Sequence, residues 1–345
     1  MPQPSATGKH MGPELRIAVV GAGMAGLVSA RQLADAGHDV TLLDKSRGLG
    51  GRLASRRTPH GPLDHGARFI SPRTPAFSNF LDVSSTNGVA ACWAISRSES
   101  ARRFVGLPTM NGLVKPLAAG IRTQLQSHVT RISRSRDGWR LQIDDELSKA
   151  VFDRIILAVP APQAAALLRD AGDAFSPLEN VRMSPRWTYL AVFERPLQGA
   201  TDLPASEDTR VEWVARDSAK PGRTGDTDRW ILHASAEWTR NHLELAPETI
   251  LPELRELFAR AVGRPLPPAL YESAHRWRFA LTDRALGLPF LSDPESTLFA
   301  CGDWCLGDTA EDAFRSGSAV AEALLERDGH PDGSMRSPPR TTAEG

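Results

Sequence analysis

RIAVVGAGMAGLVSARQLADAGHDVTLLDKSRGLGGR, residues 16–52, decides the fold of this 345-residue chain. Arg16–Val20 is a short β-branched run that stops at Gly21, as a buried strand does. Gly21-Ala22-Gly23-Met24-Ala25-Gly26 fits G-x-G-x-x-G, and apolar residues at helical spacing follow over Ala25–Ala36, closed by Gly37. Val40–Leu43 is the next strand and ends at Asp44. The three elements form a βαβ unit, and therefore a parallel sheet. Gly21 permits the tight turn. Gly23 lets backbone approach a pyrophosphate at the positive end of the helix, and Gly26 lets helix and strand pack closely. Asp44 stands where an acid accepts hydrogen bonds from an adenosine ribose. That acid favours a free ribose diol, while Lys45 and Arg47 beside it leave a 2′-phosphate open.

A nicotinamide dehydrogenase would now enter its next helix. Here KSRGLGGR, residues 45–52, makes a second backbone-exposing turn that ends in Gly50, Gly51 and Arg52. Amide N–H groups and a guanidinium suit the two charges of a pyrophosphate. Arg56 and Arg57 read as solvated, or as ligands of a substrate anion.

Further along, WTYLAVFERPL (187–197), VEWVARDSA (211–219), RWILHASAEW (229–238) and YESAHRWRFAL (271–281) read as strands of an antiparallel meander, which GVAACWAISRS (88–98) could join. ETILPELRELFARAVG has the apolar rhythm of a helix. FDRIILAVPAPQAAALL reads as strand, turn and helix, STLFACGD as a strand entering a turn, and EDAFRSGSAVAEALLER as a small-residue helix. The expected fold class is α/β, α+β overall: a Rossmann-like dinucleotide-binding domain (14–80, 107–175 and 297–328) carrying an inserted β-rich substrate domain (81–106 and 176–296). Residues 1–13 and 329–345 read as a disordered leader and tail.

Lys+Arg and Asp+Glu both number 41, so neither a nucleic-acid nor an anionic-membrane partner is expected. No apolar stretch is long enough to span a bilayer. Three cysteines make no disulfide framework and suit a reducing, cytoplasmic setting. Cys301 and Cys305 read as packing residues, and no metal is expected.

G-x-G-x-x-G, an acid closing the second strand, and GG-R a few residues later resemble the signature of FAD enzymes of the amine-oxidase type. GPLDHGARFIS (61–71), HRWRFAL (275–281), WTYLAVFERPL and CGDWCLGDTAEDAFRSGSAVAEALL (301–325) resemble, more specifically, bacterial renalase-like proteins. The resemblance covers about residues 14–328 and departs at Asp44, where the superfamily usually carries Glu. It implies non-covalently bound FAD. Gly50, Gly51 and Arg52 would lie along its pyrophosphate and ribityl chain, with Gly302 and Asp303 at the ribityl or phosphate end. Val129 would read the adenine. Glu311, Asp312, Ala313 and Phe314 would open a last helix facing the flavin pyrimidine edge. His65, Gly66 and Ala67 would border the flavin.

The resemblance also implies a reaction. Renalase-like enzymes oxidise dihydronicotinamides reduced at ring position 2 or 6, passing a hydride to flavin, and oxygen then yields hydrogen peroxide. Such a transfer needs stacking more than acid–base help. Trp187, Tyr189, Trp213, Trp230 and Trp277 offer core or an aromatic-walled pocket. In the HRWR strand His275 and Trp277 share one face, and Arg276 and Arg278 the other. His275, Arg276 and Trp277 are the substrate-pocket candidates, with the inward face open. Amine oxidation is the nearest rival. Against it stand two tyrosines in the whole chain and no lysine beyond Lys220, which sits in a Pro/Gly-rich loop. A non-catalytic FAD-binding protein is a further alternative, and the oligomeric state is unread.

Overall fold

The computed structural model describes residues 13–94, 102–202 and 206–328. Most of the expected leader, the whole expected tail and residues 95–101 lie outside the described residues. In chain order the strands of the two main sheets are β1 (Arg16–Val20), β2 (Asp39–Leu43), β3 (Arg122–Gln124), β4 (Arg154–Leu157), β5 (Arg182–Phe193), β6 (Val211–Arg216), β7 (Asp228–Ala234), β8 (Tyr271–Arg284), β9 (Leu291–Ser292) and β10 (Leu298–Ala300).

The first sheet is six-stranded, in the order β9-β10-β4-β1-β2-β3, and only the β9–β10 pair is antiparallel. β1 lies inside it, which is why its sequence is apolar on both faces. Ile17 and Val19 join a core with helix α1 (Met24–Asp35), whereas Ala18 and Val20 join a second core on the other face, with Leu141, Phe152 and Ala164. The last long helix, Ala310–Asp328, closes the first core against α1. The two helices approach so closely that a Cβ on Gly317 would stand 2.3 Å from the Ala25 carbonyl oxygen.

The second sheet is antiparallel and four-stranded, in the order β6-β7-β5-β8. Trp187, Tyr189, Ala191 and Phe193 of β5 point to one side, with Trp230 and Leu232 of β7. The helix Pro247–Ala261 covers that side through Ile250, Leu254, Leu257 and Phe258, spaced at i, i+4, i+7 and i+8. Each such side chain, fully buried, stabilises by about 1.5–3 kcal/mol. The opposite side carries Thr188, Leu190 and Val192 and meets Leu63 of the first layer.

The meander forms as expected from its four strands. The described part of the 88–98 stretch, residues 88–94, does not join it: Ala90–Cys92 pairs with Phe104–Gly106 as a separate two-stranded ribbon. The helix Pro75–Thr86 packs against this ribbon. Trp187, Tyr189 and Trp230 are core residues, whereas Trp213 and Trp277 stay only partly buried. No helix among the described residues is long and apolar enough to cross a membrane.

Gly317→Val should force the α1 contact apart. Overpacking of this kind costs about 1–3 kcal/mol, and denaturant unfolding should register that loss as a lower midpoint with an unchanged slope.

Candidate active site

The two glycine turns touch. The Gly50 N–H donates to the Ala22 carbonyl at 2.8 Å, and a Cβ on Gly51 would stand 3.0 Å from the Gly23 Cα. Gly51 has φ 54°, a left-handed conformation that glycine takes at little cost. Gly23 is the N-cap of α1, has no side-chain cap, and has open space where a Cβ would point. Met24, Ala25 and Gly26 form a first turn without an acid, so its amides remain available to an anion. This cradle fits a pyrophosphate.

Asp44 accepts the Ala22 N–H through Oδ2 and the Ser46 N–H through Oδ1, both at 2.7 Å. Its backbone carbonyl accepts the Ser127 N–H at 2.9 Å, which draws the approach to buried Val129 alongside the end of β2. Lys45 is exposed. Gly21 sits at the end of β1 and donates to the Leu43 carbonyl.

At the other end of the cradle, the Arg52 guanidinium forms a bidentate pair with buried Asp303, with Nη1 at 2.6 Å. Gly302 leads into that acid and donates to Ser316. The Arg52 carbonyl accepts the Ala67 N–H at 2.8 Å, which lays His65-Gly66-Ala67 directly along the second glycine turn. At the start of the last helix, Thr309 and Asp312 cap each other's amides. Buried Glu311 accepts the Arg73 N–H at 2.6 Å. Ala313 is buried behind this turn. Phe314 turns to Phe77 and Phe80, with ring centroids 5.2 Å away in each case, so its side chain packs the helix Pro75–Thr86.

The alternation of β8 has a definite sense. His275 and Trp277 face the first layer: the Trp277 indole N–H donates to the His65 carbonyl at 2.9 Å. The His65 and Trp277 rings lie 5.1 Å apart at 28°, and His275 stands edge-on to both at 4.5 Å. Arg276, expected to border the substrate, is turned to the opposite face. There it donates to the Leu243 carbonyl and covers the Trp187 ring, while Arg278 pairs with Glu244. A period of two cannot put Arg276 and Trp277 on one side.

Burial lowers the His65 pKa to about 3, helped by the nearby His275 and Arg56. Burial and then Arg56 lower that of His275 to about 4. An Arg56 N–H lies 2.9 Å from His275 Nδ1, which must therefore accept, and the ring proton sits on Nε2. Both imidazoles are neutral at neutral pH.

Behind His65 lies a buried ionic quartet that the sequence reading missed. Asp64 accepts from Lys220 Nζ at 3.1 Å, from Arg223, from Ser55 and from the Met110 N–H. Lys220 also meets Asp217 at 2.7 Å. Lys220, expected in a local turn, is thus fully interior. Its only sequence signal is Asp217 three residues earlier.

The profile of the NAD(P)-binding Rossmann-like domain matches residues 19–83, and that of the flavin containing amine oxidoreductases matches residues 76–325. Two apposed glycine turns on a parallel sheet, roofed by an antiparallel one, define a flavoprotein oxidoreductase. The chain belongs to the flavin containing amine oxidoreductase family. Its matches to curated relatives are short. It is 45% identical over 68 residues to a hydroxyneurosporene desaturase of Cereibacter sphaeroides, which is 20% of this chain and 14% of that protein. It is 52% identical over 42 residues to an L-amino-acid oxidase of Mus musculus, 12% of this chain and 7% of that one. Among solved structures, a putative protoporphyrinogen oxidase from Exiguobacterium sp. 255-15 shares the fold at TM-score 0.72 and 13% identity, over 91% of this chain and 99% of that one. Cyclohexylamine oxidase from Brevibacterium oxydans IH-35A shares it at TM-score 0.66 and 15% identity, over 91% and 99%.

A lowered histidine pKa means that the fold holds the neutral ring. The stability contributed is complete above the ordinary value of 6.5 and is lost as pH falls toward about 4 for His275 and about 3 for His65. Unfolding free energy should therefore decline below pH 6.5, and this decline should flatten in a His65→Asn/His275→Asn variant measured over the same range.

Proposed function

We propose that the chain is an FAD-dependent oxidase whose electron donor is a dihydronicotinamide nucleotide reduced at ring position 2 or 6. The observation that carries the reading is the wall of His65, His275 and Trp277 beside the second glycine turn. Bound FAD would supply the two-electron acceptor, with oxygen as its oxidant and hydrogen peroxide as product. The amides of Gly23–Gly26 would hold its pyrophosphate, Asp44 the adenosine ribose, and Arg52 the ribityl or phosphate end.

The wall suits such a donor on chemical grounds. A hydride leaves a dihydropyridine without a base, so the protein has to stack and orient the ring. Trp277 and His65 present nearly parallel flat surfaces, and their mutual hydrogen bond fixes the indole. The imidazoles are too weakly basic to serve a donor that must first lose a proton. Being neutral, they also place no charge against the pyridinium product.

Amine oxidation is the second reading, and buried Lys220 favours it. Asp217 and Asp64 raise its pKa against the effect of burial, so it stays protonated and would order a water without accepting a proton.

Anaerobic mixing of the flavin-loaded protein with 2- or 6-dihydroNAD(P) should bleach the oxidised flavin within seconds, and a panel of primary amines should leave it unchanged. Bleaching by amines alone would replace the first reading with the second. Arg52→Ala should weaken FAD binding about tenfold or more, because a charge-assisted contact is worth about 1.5–3 kcal/mol. Flavin fluorescence released on dilution measures it.

A further inference from the structure

The inner face of the second sheet carries polar groups that the stacking wall leaves unused. Trp213 of β6 pairs in register with His233 of β7, His233 with Thr188 of β5, and Thr188 with His275 of β8. The next position on β5, on the same face, is Arg186, opposite Trp277. Arg186 is 4% exposed, Thr188 0% and His233 2%. Among the described residues, Arg186 Nε, Thr188 Oγ1 and both ring nitrogens of His233 have no hydrogen-bond partner. Buried polar groups are normally satisfied, so four such atoms on one patch mark a place built for a polar ligand.

The charge of the patch selects the ligand. Glu212 pairs with Arg186 through one oxygen and with Arg68 through the other, so two guanidiniums share one carboxylate. Arg68 also lies 5.8 Å from the Trp213 ring centroid. His233 is held neutral, first by burial and then by Arg186 and Arg68. Asp308 is the further acid acting on Arg186, and its own carboxyl is raised by burial. Arg68, Arg186 and Glu212 leave one positive charge over, surrounded by unused donors on Arg186, Thr188 and His233. A compact oxyanion satisfies both.

We infer that Arg186, Arg68, Thr188 and His233 form the seat for an anionic group of the electron donor, a phosphate or a carboxylate, one register step from the wall that holds its ring. The inference rests on the donor pocket proposed above and extends it. Glu212 takes one edge of each guanidinium and thereby orients them, while the free edge of Arg186, the Thr188 hydroxyl and a His233 N–H are left to the ligand.

Isothermal titration of the flavin-loaded protein tests this with two matched pairs: nicotinamide mononucleotide against nicotinamide riboside, and benzoate against benzamide. The anionic member of at least one pair should bind tenfold or more tightly. Preference within the first pair identifies a phosphate seat, and within the second a carboxylate seat. Arg68→Gln, at a half-buried position, should abolish the preference, and Thr188→Val should reduce it without unfolding the sheet. Equal binding within both pairs, or a preference that survives Arg68→Gln, overturns the inference. The donor reading fails separately: dihydronicotinamides that do not bleach the flavin sink it, even where the anion preference stands.

Discussion

The hydrogen bond from Gly50 to the Ala22 carbonyl sets the geometry on which the rest of the molecule depends. It draws a loop that has already left the first βαβ unit back onto that unit's own phosphate turn. Gly51 then lies on Gly23, Arg52 reaches Asp303, and the segment from His65 to Ala67 is laid down beside them. The contact works only because both sides lack side chains at the crossing. A dehydrogenase with one such turn goes on to its next helix where this chain folds back to make a second turn.

Arg52 and Asp303 unite parts of the chain 251 residues apart. Either residue alone would be a charge held at the edge of the first layer. Paired, they join the second glycine turn to the start of the C-terminal segment, and Arg52 also approaches the Ala280 carbonyl of β8. One side chain therefore touches the second glycine turn, the approach to the last helix and a strand of the antiparallel roof.

The fold was legible because its signals are local. A βαβ unit writes itself in strand, turn and helix periodicity over about thirty residues, and the four long strands of the roof alternate clearly. What the sequence could not settle depends on contacts between distant segments. Nothing within HRWR says which side of β8 faces inward; the Trp277 bond to the His65 carbonyl does. Arg186 lies one residue before the strand as read, and His233 is a lone polar residue among apolar neighbours. A single charged or imidazole side chain inside a buried strand was the available signal. Asp64 was hidden differently, because its cationic partners, Lys220 and Arg223, lie more than 150 positions away.

The quartet of Asp64, Asp217, Lys220 and Arg223 also bears on how this pocket can diverge among relatives. Two acids and two bases neutralise one another in the interior, and removing one leaves a buried charge without a partner, which costs about 3–5 kcal/mol. Replacing a whole ion pair by apolar residues of similar volume can be close to neutral. These positions are thus expected to be inherited as a block, kept together or exchanged together. The partly exposed wall and Arg68 lie outside this block, so they can vary one residue at a time while the quartet changes only as a unit.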